Sequence, residues 1–115
     1  MGIATDARFY TMSSSSNAKV LETVSSIIAD SNTIYVYQLN IYLSVTETLI
    51  KTTVGGEAWN NVASDVGGTC AATIETKLTA MKAWSSPTGA RPNERGLWHL
   101  LTPCYYSGTV GLAYV

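Results

Sequence analysis

Between residues 17 and 37 the apolar side chains fall three and four places apart: Val20, Leu21, Val24, Ile27, Ile28, Ile34 and Tyr35, with Ser31 in the same register. That spacing lays one apolar stripe along a helix and leaves Lys19, Glu22, Ser26 and Asp30 pointing elsewhere. It predicts a helix over about residues 18–37, long enough to cross one face of a sheet and return the chain to its starting edge. Runs of strand character stand on both sides. Before it comes ARFYTM, Ala7–Met12, with Phe9 and Tyr10 suiting a short strand and the four serines at 13–16 making a polar turn that caps the helix. After it, Ile41, Leu43 and Val45 alternate with Tyr42, Ser44 and Thr46, which predicts a strand over about residues 41–49, extending towards Thr53. Strand, long helix, strand is a crossover unit, and the rule of hand makes it a right-handed parallel pair.

The remainder extends the same plan. Residues 55–68, punctuated by Gly55-Gly56 and Gly67-Gly68, predict an irregular connection with room for one helical turn at 58–62. A second helix starts near Thr69, a fair N-cap, with Ala71, Ile74, Leu78, Met81 and Trp84 as its stripe. Ser85, Ser86, Pro87 and Gly89 end it. The polar loop SPTGARPNERG leads to two short apolar runs, LWHLL and VGLAYV, joined by a loop with Pro103, Cys104, Ser107 and Gly108. Both runs are too short for helices and read as strands. The expected fold is one α/β domain over residues 1–115, with a mostly parallel, mixed sheet and two long helices. The chain stops at Val115, on the last residue of an apolar strand, so a fold continued elsewhere is expected.

Composition excludes several classes of function. With 46% hydrophobic and 13% charged residues the chain is built for a packed core. A formal net charge of -1 gives no basic surface for nucleic acid or anionic lipid. No run of about 18 apolar residues exists to span a membrane. The N-terminus, MGIATDARFY, lacks a basic segment followed by an apolar one, so no secretory signal is visible. Nor does the sequence spell out a catalytic site. His99, the single histidine, lies between Trp98 and Leu100 in an apolar run, where a half-buried strand histidine is expected. The glycine pairs match no phosphate-binding loop. For Cys70 and Cys104, one disulfide between them, pairing with cysteines of other chain segments, or two buried free thiols all stay open. Two distant cysteines and one histidine do not make a four-ligand structural zinc site.

One stretch carries more. WHLLTPCYYSGTVGLAYV resembles the third and fourth strands of reprolysin-like (adamalysin-type) zinc metallopeptidases of the metzincin clan, in which an HLLT-type strand is followed by a loop and a G-x-x-GLAYV strand. The order of the other elements agrees: ATDARFY resembles the first strand. The helix ending in IY, with the LNIYL after it, resembles the first helix and second strand. A helix with L-x-x-M-x-x-W precedes HLLT. The resemblance covers nearly the whole chain, and the Pro103-Cys104 loop departs from the more usual glycine-rich link.

The resemblance implies a metzincin N-terminal subdomain, incomplete because the fifth strand and the zinc helix are absent. The family holds zinc through HExxHxxGxxH, whose glutamate is general base to a metal-bound water. The resemblance thus implies zinc as the cofactor of the complete enzyme; no such motif occurs here, and no zinc is expected in this chain alone. His99 matches a strand histidine of the family pattern and not a zinc ligand. The fourth strand of the family lines the cleft and takes an extended peptide substrate as an added antiparallel strand. The backbone of Thr109, Val110, Gly111, Leu112 and Ala113 would then bind substrate. Gly111 suits close approach of a second backbone, or else relieves crowding against a core residue. In the family the fifth strand lies between the third and fourth, so without it residues 109–115 would form an unpaired edge. The partners implied are the remainder of the catalytic domain or a second copy, and a peptide or protein substrate. The implied location is extracellular or at the cell surface. The alternative is a non-catalytic peptidase-like module used for binding or assembly.

Overall fold

A computed structural model describes residues 1–60, 72–86 and 97–104, together with Gly111 and Ala113. Three strands form one parallel sheet: β1 (Gly2–Thr5), β2 (Glu47–Ile50) and β3 (Trp98–Leu101), in the order β2-β1-β3. Three helices accompany them: α1 (Ala7–Met12), α2 (Asn17–Leu39) and α3 (Ile74–Ser85). The α/β class and the parallel pairing agree with the sequence. Of the two long helices expected, α2 has 23 residues and α3 only 12.

β1 is buried along its length, and its alternating side chains open two cores. Ile3 packs with Phe9, Val20 and Val24, with Ile50 and Leu101 beside them, which places α1 and α2 on one face. Ala4 packs with Trp59, Met81 and Trp84, with Leu49, Trp98 and Leu100 beside them, which places α3 on the other. The chain leaves β1 for one side of the sheet and returns past it to the other. Right-handed crossovers running in opposite directions put their helices on opposite faces.

The first strand lies earlier than the sequence suggests. Residues 7–12 are helical, and the four residues before Asp6 make the strand. The cause is Asp6, whose backbone is extended and whose carboxylate accepts the Phe9 N–H at 2.8 Å. An N-cap at that position commits the next residues to a helix whatever their β-propensity. Ser14 and Ser15 then take left-handed conformations, and Ser16 caps α2 by accepting from the Lys19 N–H. The expected capped turn is there, but it joins helix to helix.

β2 is shorter than the expected 41–49 and starts at Glu47. Asn40, left-handed at φ 52°, ends α2, and the side chain of Asn32 spends the strand-forming groups of Leu43. Asn32 Oδ1 accepts the Leu43 N–H at 2.7 Å, and its Nδ2 donates to the Leu43 carbonyl at 2.9 Å. α3 begins at Ile74, capped by the Thr73 hydroxyl, which accepts from the Thr76 N–H. The expected cap Thr69 and the stripe residue Ala71 lie outside the described residues. At β3 the sheet tolerates only glycine opposite: a Cβ on Gly2 would stand 2.5 Å from the Trp98 ring.

Candidate functional site

In parallel α/β sheets, ligands sit beyond the carboxyl ends of the strands, where neighbouring connections part in opposite directions. Here that place lies beyond Thr5 and Leu101, the last residues of β1 and β3, and it is filled by the chain itself. Asp6 follows β1, donates its N–H to the Leu101 carbonyl, and sends its carboxylate inward. Asp6 Oδ2 accepts from Lys77 Nζ at 2.9 Å, with both side chains almost wholly buried. Lys77 also donates to the Trp59 carbonyl at 3.4 Å. Asn60 seals the other side. Its Oδ1 accepts the Ala7 N–H at 2.9 Å, and its Nδ2 donates to the carbonyls of Thr53 and Gly55. A charge pair so desolvated is retained because every partner is in place, and such a pair holds geometry more than it adds stability. Nothing reaches it from solvent. The crevice is a structural knot that ties α1, the 53–60 loop and α3 to the sheet.

Around the knot, Trp59, Trp84 and Trp98 pack edge to face, with ring centroids 5.6 Å and 5.0 Å apart. Outside them a shallow groove of about 470 Å3 is lined by Gly56, Glu57, Ala58, Ala80, Ala83 and Trp84. Glu57 at its rim pairs with Lys51. Desolvation raises the Glu57 pKa, but the hydrogen bond and charge from Lys51, with the Glu57 backbone, outweigh it and hold the carboxyl below its ordinary value. The groove is mainly apolar and offers no reactive group. Among the described residues no three His, Cys, Asp or Glu side chains group closely enough to hold a metal ion. No helix among them is long and apolar enough to cross a membrane.

The sheet edges are therefore the more informative surface. β3 pairs with β1 only, and its far edge carries no strand among the described residues. His99 stands exposed on this strand. Desolvation, then the positive charge of the N-terminal ammonium, hold its imidazole below the ordinary pKa. It is not a buried core residue, and it belongs to no group of three or more His, Cys, Asp or Glu side chains among the described residues.

Of the residues expected to bind substrate, Thr109, Val110 and Leu112 lie outside the described residues. Gly111 and Ala113 are exposed and in neither helix nor strand. Among the described residues, a Cβ on Gly111 would meet nothing within 4 Å. Cys104 is buried and disulfide-bonded, while Cys70, the one other cysteine of the chain, lies outside the described residues. The residues that sequence reasoning passed over are Asp6, Asn60 and Lys77. Lys77 carried a signal. It stands three residues after Ile74 and four before Met81, inside the apolar stripe, where a lysine is buried only against a carboxylate.

No family model, no curated protein and no solved structure matches this chain.

Proposed function

We propose that this chain is the N-terminal part of the catalytic domain of a reprolysin-like zinc endopeptidase, and that it supplies the edge on which a peptide substrate lies. The observation that carries the reading is the place of β3, the HLLT strand, which pairs parallel with β1 on the side opposite β2. The likeness of HLLT and GTVGLAYV to the family's third and fourth strands calls for a further strand beside β3, on the side away from β1. The parallel order β2-β1-β3 and the helices on opposite faces are compatible with the same plan. The plugged crevice removes the usual nucleotide-type alternative for a parallel sheet.

In this reading the chain recognises and does not cleave. An extended peptide hydrogen-bonds its backbone to the N–H and C=O groups of Thr109, Val110, Gly111, Leu112 and Ala113, as β-augmentation requires. The donor set for zinc is not here, since His99 is the single histidine. When bound in such a domain, zinc would activate the water that attacks the peptide carbonyl. Its ligands must come from sequence beyond Val115, and a secreted or cell-surface parent follows from the same likeness.

The test is to read the transcript past Val115 and to express the extended chain. An HExxHxxGxxH motif within roughly one helix and strand, with chelator-sensitive hydrolysis of a denatured protein substrate, is the expected result. Degenerate histidines and no peptidase activity would transfer the chain to the reading as a non-catalytic binding module.

A further inference from the structure

We infer that the carboxyl-terminal end of α2, with the turn after it, is a self-association surface that seats a second copy of this chain. A helix of 23 residues runs about 35 Å, whereas strands of four residues run only about 13 Å. α2 therefore overruns the sheet. Its first half is anchored by buried Val20 and Val24, but no side chain of α2 beyond Val24 is buried. Between 34 and 39 the helix is apolar on nearly every side, a pattern that belongs to a buried helix. Instead, Ile34, Tyr35, Leu39 and Ile41 are exposed, Tyr42 is 75% exposed and Tyr37 91%.

Two further observations choose the occupant. From residue 31 to residue 46 there is no charged side chain at all, with Asp30 and Glu47 as the bounds. A surface of this kind meets its own copy without like-charge repulsion and offers nothing to steer an acidic or basic partner. The exposed parts of the six residues named come to roughly 700 Å2, taking about 200 Å2 for a whole side chain of this size. A standard interface needs about 800 Å2 from each partner, and tyrosine is enriched at such centres. A twofold pairing of the helix ends uses the same patch on both sides, and its area falls within the about 600–1,000 Å2 per partner over which stable interfaces range. This proposal does not rest on the peptidase reading.

The experiment is light scattering and sedimentation of the chain over a wide concentration range, with Tyr37→Asp, Ile34→Asp and Tyr37→Phe beside the parent. Both positions are exposed, so thermal melts should stay unchanged. The expected result is a reversible dimer that Tyr37→Asp and Ile34→Asp each weaken by more than about tenfold, while Tyr37→Phe keeps it. A monomer at every concentration overturns the proposal. So does a dimer indifferent to both aspartates, which would assign association to the sheet edge instead. Binding of the parent to neutral phosphatidylcholine vesicles, lost in Tyr37→Asp without any dimer, would overturn it in favour of a lipid surface.

Discussion

The two faces of the sheet are closed by different means. On the α2 face, Ile3, Phe9, Val20 and Val24 make a mainly aliphatic cluster with one buried aromatic ring. On the α3 face, three tryptophans surround Ala4 and Met81, and a buried ion pair stands at the end of the strand. The first layer depends on volume alone, which adapts to small changes. The second depends on partners, and a missing partner leaves a charge or a dipole stranded in a dry interior. Substitutions should therefore be graded by which face they touch.

The largest effect is expected on the α3 face. Lys77→Ala leaves the Asp6 carboxylate buried and unpaired, and should cost about 3–5 kcal/mol in a denaturant titration. The double change Asp6→Asn with Lys77→Met keeps an N-cap for α1 and removes both charges, so it should recover a good part of that loss. If the double variant were as unstable as the single one, the pair would be more than a charge balance. On the α2 face, Val24→Ala removes two methyl groups from a packed site and should cost about 2 kcal/mol by the same titration. A Val24→Ala loss equal to that of Lys77→Ala would erase the contrast.

Smaller effects sharpen it. Gly2→Ala forces a Cβ against the Trp98 ring, and the ring must move for the strand pair to survive. A loss of about 1–3 kcal/mol is expected, with a shifted Trp fluorescence that Gly2→Ala in a Trp98→Leu background should not show. The smallest effect is electrostatic. The folded pKa of His99 is held below its ordinary value, so protonation favours the unfolded chain. The stability this represents is fully present above the unfolded pKa of about 6.5 and is lost as pH falls towards the lowered value in the fold. Because His99 is exposed, the change should be slight, and a His99→Gln chain titrated beside the parent should show none of it.

The same contrast explains what the sequence disclosed. α2 was legible because a 3.6-residue period sustained over several turns has one interpretation, and its predicted ends fall within two residues of Asn17 and Leu39. The parallel sheet followed from that helix. The first strand was misplaced because Gly2–Thr5 is too short to alternate visibly, while Phe9 and Tyr10 advertise β-structure locally. The carboxylate of Asp6 overrides them through one hydrogen bond. The second strand was overextended because alternation at 41–46 says nothing of Asn32, eleven residues earlier, whose amide takes both backbone groups of Leu43. The knot of Asp6, Asn60 and Lys77 was out of reach for a related reason. Its members are far apart in sequence and meet only once both crossovers are made.

The order of the strands has a consequence for how the chain is made. β1 precedes both of its neighbours in the chain and is the central strand of the sheet, with Gly2 in register with Glu47 on one side and Trp98 on the other. Its second ladder therefore waits for almost the entire chain. Topologies whose contacts span such distances fold slowly, because loop closure precedes any reward. During that interval a short apolar strand stands with an open ladder edge, which is the species most prone to pair with the wrong neighbour. For this fold the hazardous period is the time the ribosome takes to travel from the first strand to the third.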